Sequence, residues 1–188
     1  MKVKLNPAFE GMSGTLGEIV FREVRGRTVV SRKPDTANDQ PTVGQVAHRE
    51  RFKLAAAYGK SVMADAALRP LYEEAARRKN VPVFSVTVAD YFNAPVIGEI
   101  DLSQYTGARD SVITVPATDD FGVQSMQVII SDDQGNHIES GAAQETAQGS
   151  GRWVYIAQSS PVASTLVINA IATDHPGGTA VKSKTLTR

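Results

Sequence analysis

From Pro95 to the C-terminus the chain reads as seven short apolar runs, VIGEIDL, SVITVPA, VQSMQVIISD, HIESGAA, RWVYIAQ, TLVINAIAT and AVKSKTL. They are separated by TGARD, TDDFG, DDQGN, AQGSG, SSPVAS and DHPGG. Alternation with a period of two places successive side chains on opposite faces of a strand, and Gly, Asp, Ser and Pro clusters at regular spacing are turn chemistry. Seven short strands of this kind predict an antiparallel sandwich. Trp153, the only tryptophan, falls in the middle of one run and is expected to plug the core.

The first half follows different periods. EIVFRE and RTVVSR form two β-rich runs around Val24-Arg25-Gly26, where glycine suits a hairpin turn. Ile19 and Phe21 alternate with Val20, so the hairpin is apolar on both faces, and a two-stranded hairpin is marginal in water on its own. The arm before it, LNPAFEGMSGTLG, is rich in small residues and has little to bury. Arm and hairpin together read as an element that docks.

Beyond the polar connector SRKPDTANDQP, Thr42 is an expected N-cap. Val46, Phe52, Ala55, Ala56, Gly59, Val62 and Met63 recur at helical spacing and predict a helix from about Val43 to Met63. A second helix is expected to start near Asp65 or Pro70 and to end in the basic run 77–79, where cations suit the helix dipole. VPVFSVTVADYF predicts one or two further helical turns ending at Asn93.

Composition excludes several classes of function. Without cysteine there is no disulfide framework, thiolate zinc site or cysteine nucleophile. The N-terminus MKVKLNPAFEGMSG has no apolar run after its lysines, and no stretch approaches the roughly 20 apolar residues of a membrane span. The expectation is cytoplasmic synthesis without a signal peptide, with release as part of a particle open, and no membrane partner.

The net charge of zero hides a division. Residues 1–92 hold six Lys and nine Arg against ten acids, whereas residues 93–188 hold two Lys and three Arg against ten acids. Opposite charge on the two halves suits contact between copies of the chain. It also suits a nucleic-acid-binding first half.

No cofactor and no enzymatic activity are expected. His48, His137 and His175 lack metal-ligand spacing, no serine sits in a nucleophile elbow, and GTLGEI lacks the lysine and helix of a phosphate loop. Tyr58 and Tyr72 fall on apolar helical stripes and are expected in the core with a polar tip. Glu73 and Glu74 point in different directions from a helix and form a solvated face. Asp132-Asp133-Gln134-Gly135 resembles half of a calcium loop but lacks the later glutamate, and is expected to be a hairpin turn.

The run DDFGVQSMQVIISDDQGNHIESG, followed by GRWVYIA and INAIATDHPGG, resembles bacterial immunoglobulin-like modules. These share an aspartate and glycine before one strand, a D-x-G turn, a Trp-x-Tyr strand and an Ala-x-Asp strand end. The likeness covers about the second half of the chain and implies a fold type more than a function. GTLGEIVFREVRGRTVVSRKP with QPTVGQVAHRERFKLAAAYGKS is similar to uncharacterised bacterial and prophage-associated proteins. An immunoglobulin-like topology implies that Asp119 and Asp120 come near Asp174 and His175 at one end. Three carboxylates there are a calcium candidate, against the alternative that each aspartate caps its own turn.

The fold class expected is α+β: an N-terminal β-hairpin with a small helical unit over residues 1–93, then an all-β immunoglobulin-like antiparallel sandwich over 94–188. The function expected is structural: self-assembly, or docking into a filament, a phage-like particle or an injection machine. The contact set is Phe21, Arg22, Val24, Arg25, Arg27, Val29, Arg32 and Lys33. The partners are other copies of the chain or other structural proteins. The alternatives are a nucleic-acid-associated protein gripping phosphates with the same hairpin, and an adhesion or glycan-binding module.

Overall fold

The computed structural model describes residues 9, 11–24, 26–35 and 40–188; Arg25 of the contact set lies outside them. The chain divides into two compact units, Met1–Ala47 and His48–Arg188. Residue 93 lies within the second unit, where Phe121 of a sandwich loop packs against the helices.

In the first unit β1 (Gly14–Leu16), β2 (Ile19–Val24) and β3 (Arg27–Arg32) form an antiparallel sheet in the order β1-β2-β3. Val24 lies opposite Arg27, and Gly26, just before Arg27, takes the positive φ of +70° that a tight hairpin favours. The arm is therefore more than a spacer. Its Gly14, Thr15 and Leu16 pair with Phe21, Val20 and Ile19 and turn the expected hairpin into three strands.

The first helix, α1 (Val43–Ala64), starts with a reciprocal cap. The Thr42 hydroxyl accepts from the Gln45 N–H at 3.3 Å, and the Gln45 side chain accepts from the Thr42 N–H at 2.9 Å. Of its expected apolar stripe, Ala55, Gly59 and Val62 are buried, while Val46 and Phe52 are 45% and 46% exposed. The buried residues face the other helices: Val62 shares a cluster with Tyr72, Ala75 and Ala76 of α2 (Arg69–Lys79) and Val86 of α3 (Val83–Phe92), and Gly59 lies against Phe84 and Thr87. Pro70 sits in the first turn of α2, and Asn80 closes it in the left-handed conformation.

The remaining strands are β4 (Val96–Ile97), β5 (Val112–Thr118), β6 (Ser125–Asp132), β7 (His137–Glu145), β8 (Arg152–Ile156), β9 (Thr165–Thr173) and β10 (Thr179–Thr187). All pairings are antiparallel, in the order β10-β9-β6-β7-β8-β5-β4. β7 joins two layers: His137–Ala143 lie along β6, and Gln144–Glu145 cross to pair with Val154 and Trp153 of β8. The result is a mixed helix-and-sheet chain whose second half is an antiparallel β-sandwich.

Alternation drives that sandwich. β9 buries Leu166, Ile168, Ala170 and Ala172, β6 buries Met126, Val128 and Ile130, and β5 buries Ile113, Val115 and Ala117. Each large side chain withdrawn from water contributes about 1.5–3 kcal/mol before entropy is charged against it. Trp153 joins the same cluster. The first expected run is shorter as a strand: after Ile97 the ladder is interrupted, and pairing resumes only as a bridge between Asp101 and Thr114.

Candidate functional site

Strand register sorts the contact set onto two faces of the N-terminal sheet. Residues directly opposite share a face. Gly14, Leu16, Ile19, Phe21, Glu23, Thr28, Val30 and Arg32 therefore lie on one side. Thr15, Val20, Arg22, Val24, Arg27, Val29 and Ser31 lie on the other. Phe21 is the one buried member, with its ring stacked 5.9 Å from that of Phe9. Val20 is half-buried, and the other apolar residues stay open to solvent, with Leu16 at 65% and Val24 at 50% exposure. Lys33 is exposed, and its backbone N–H donates to the Glu18 carbonyl at 2.7 Å, closing the base of the sheet.

The second face mixes valine with arginine in cross-strand pairs, Val24 opposite Arg27 and Arg22 opposite Val29. The four residues of these two pairs are exposed. The first face carries Leu16, Ile19, Phe21 and Val30 at the arm end, with Arg32 beside them and the Glu23–Thr28 pair toward the turn. A three-stranded sheet that buries a single large side chain has two surfaces whose covering would each release several kcal/mol.

The expected calcium aspartates occupy loops of the larger unit. Asp119 accepts from the Phe121 N–H at 2.9 Å, Asp120 from the Asn93 side-chain amide at 2.8 Å, and Asp174 from the Gly178 N–H at 2.5 Å. Asp119 and Asp174 thus cap their own turns. Among the described residues no group of three or more His, Asp or Glu is arranged to hold a metal ion. Burial of Asp174 raises its carboxyl above the ordinary carboxylate range, the Gly178 amide opposes this, and Asp119 adds to it.

Sequence reasoning did not single out Asp90, which is wholly buried on α3. Its Oδ2 accepts from the Tyr72 hydroxyl at 2.5 Å, and the Tyr72 oxygen lies 2.7 Å from that of Tyr58. Burial and the nearby carboxylates Asp119, Asp174 and Asp120 push the Asp90 carboxyl up to about 6, against the opposing effect of the Tyr72 hydrogen bond. Burial also holds the Tyr72 hydroxyl far above its ordinary range. The missed signal is spacing: Val83, Val86, Thr87 and Asp90 recur at three and four residues, so Asp90 sits on the apolar stripe of its helix.

The other polar residues have local roles. His48 stacks on Phe92 at 5.5 Å, and Glu73 and Glu74 face exposed Arg69 and Arg78 at 2.6 and 4.0 Å. Asp132 closes the β6–β7 turn, accepting from the N–H groups of Gln134 and Asn136 at 3.0 and 2.8 Å. Among the described residues no helix is long and apolar enough to cross a membrane.

No known family model matches the chain, and no curated protein matches it. Among solved structures it is similar to CopC from Methylosinus trichosporium OB3b, at 15% identity over 50% of this chain and 91% of that one, with a TM-score of 0.39. It is also similar to an engineered protein, at 22% identity over 56% of this chain and 26% of that one, with a TM-score of 0.37. Likenesses this distant carry no argument about the site.

Proposed function

We propose that the chain is a non-enzymatic structural protein that associates with further copies of itself through its N-terminal sheet, as a component of a filament or phage-like particle. The observation that carries this reading is the sheet β1-β2-β3, which presents apolar side chains on both faces with only Phe21 among its strand residues buried. The opposite charge of the two halves supports a second copy as the partner, since a basic N-terminal surface and an acid-rich C-terminal half attract head to tail.

The sandwich is then an immunoglobulin-like module carried by the assembly. Its strand order supports this: β4-β5-β8 and β6-β9-β10 correspond to the two sheets of such a domain, with β7 shared between them. Nucleic acid is the second reading, favoured by Arg22 and Arg27 on one face of a β-ribbon. Light scattering and electron microscopy of the pure protein, with and without DNA, separate the two. Assemblies that form without DNA support the first reading. A monodisperse monomer at high concentration, indifferent to salt, overturns it.

A further inference from the structure

Three helices of the larger unit meet on one hydrogen-bonded chain, Tyr58 of α1 to Tyr72 of α2 to Asp90 of α3. The β5–β6 loop closes over it: the Phe121 ring lies 4.3 Å from that of Tyr72, and Asp120 accepts from Asn93 just beyond α3. Asp90 has no exposed surface, and its Oδ1 has no hydrogen-bond partner among the described residues. Asp119 Oδ1 and Asp174 Oδ2 are likewise buried without partners.

Among the described residues, the groups that act most strongly on Asp90 are acids and a phenol. α2 supplies Tyr72, with Tyr58 of α1 bonded to it in turn, the β5–β6 loop supplies Asp119 and Asp120, and the β9–β10 loop supplies Asp174. Among the described residues no lysine or arginine forms a salt bridge with Asp90. An ionised carboxylate in this position has lost water without gaining a cation, and it lies close to like charges. A neutral carboxyl group instead carries no charge to bury and can donate as well as accept.

We propose that Asp90 is a proton-operated latch: while it is neutral, the Tyr58–Tyr72–Asp90 chain fastens the helices to the Phe121 loop of the sandwich, and its ionisation loosens α3. This goes beyond the assembly reading and does not depend on it. The direction follows from the folded carboxyl lying at about 6, above its ordinary value of 3.8. The folded state then holds the proton more tightly than the opened state. Fastening is complete below the ordinary value and weakens as pH rises from there through about 6.

Hydrogen–deuterium exchange on the full chain tests this. After correction for intrinsic exchange, opening at the α3 amides of the wild type is expected to rise about tenfold between about pH 5 and about pH 7.5, with β6 and β9 unchanged. Asp90→Asn, a neutral mimic that still accepts from Tyr72, is expected to remove most of that rise. An equal rise in both proteins overturns the latch. So does restoration of α3 protection at the higher pH by millimolar calcium, which would make a cation rather than a proton the fastener. Should the variant not fold, carboxyl carbon NMR of the wild type decides: an Asp90 midpoint of about 5 or above supports the latch, and one near about 4 overturns it.

Discussion

Tyr72 of α2 donates its hydroxyl to Asp90 of α3 at 2.5 Å, with both side chains wholly buried. That bond favours the ionised carboxyl, because a carboxylate accepts more strongly than a neutral acid. Tyr72→Phe is therefore expected to raise the Asp90 midpoint further. It is also expected to destabilise the protein by about 1–3 kcal/mol, with the larger loss at neutral pH where the acceptor is charged. Urea midpoints at two pH values check the sign; an equal loss at both contradicts it.

The face assignments separate two causes of assembly. Val20, Val24 and Val29 share a face with Arg22 and Arg27. Replacing the three valines with threonine is expected to reduce particle size in light scattering at least as much as replacing the two arginines with glutamine. Stronger loss from the arginine variant, seen as weakened DNA binding, would favour the nucleic-acid reading.

Deleting residues 1–33 removes the sheet and leaves the larger unit intact. The shortened chain is expected to sediment as a monomer with a cooperative unfolding transition reported by Trp153, which lies in the sandwich core. Persistent polymers would move the joint elsewhere.

Gly151 has a φ of +66°, and a Cβ there would lie 2.6 Å from the Ala117 carbonyl oxygen, a backbone atom that cannot rotate away. Gly151→Ala is expected to cost about 2 kcal/mol or more, combining left-handed strain with the overlap. Gly135 has a φ of +83° but open space around it. Its alanine variant is expected to show the strain alone, about 1 kcal/mol. Thermal unfolding of the two variants measures the difference.

Asp132 holds the β6–β7 turn through the Asn136 side chain, and that bond lowers its carboxyl below the ordinary value. A lowered folded pKa means a contribution present above the unfolded value and lost as pH falls through the folded one. The stability gap between wild type and Asp132→Asn is expected to be constant above about pH 5 and to shrink in stronger acid, opposite to the trend for Asp90. Urea midpoints across that range give the test.

Local pattern determined much of this protein. The seven strands of the sandwich were legible because alternation between faces is written into each run, and Trp153 falls where that alternation points inward. Thr42 and Pro70 mark helix starts because capping concerns only a few neighbouring residues. β1 escaped notice, since Gly14, Thr15 and Leu16 are too few to show a period and become a strand only when β2 pairs with them. The stripe of α1 was readable, but which of its members would be covered depended on the side from which α2 and α3 pack, which buries Ala55, Gly59 and Val62 and leaves Phe52 exposed. Asp90 shows the division most sharply. Its spacing places it on an apolar stripe, whereas its raised carboxyl depends on burial by the surrounding segments and on Asp119 and Asp174 arriving from two loops of the sandwich. Periodicity is a property of neighbours along the chain; the dielectric and charge around a buried group are set by whatever folding brings opposite it.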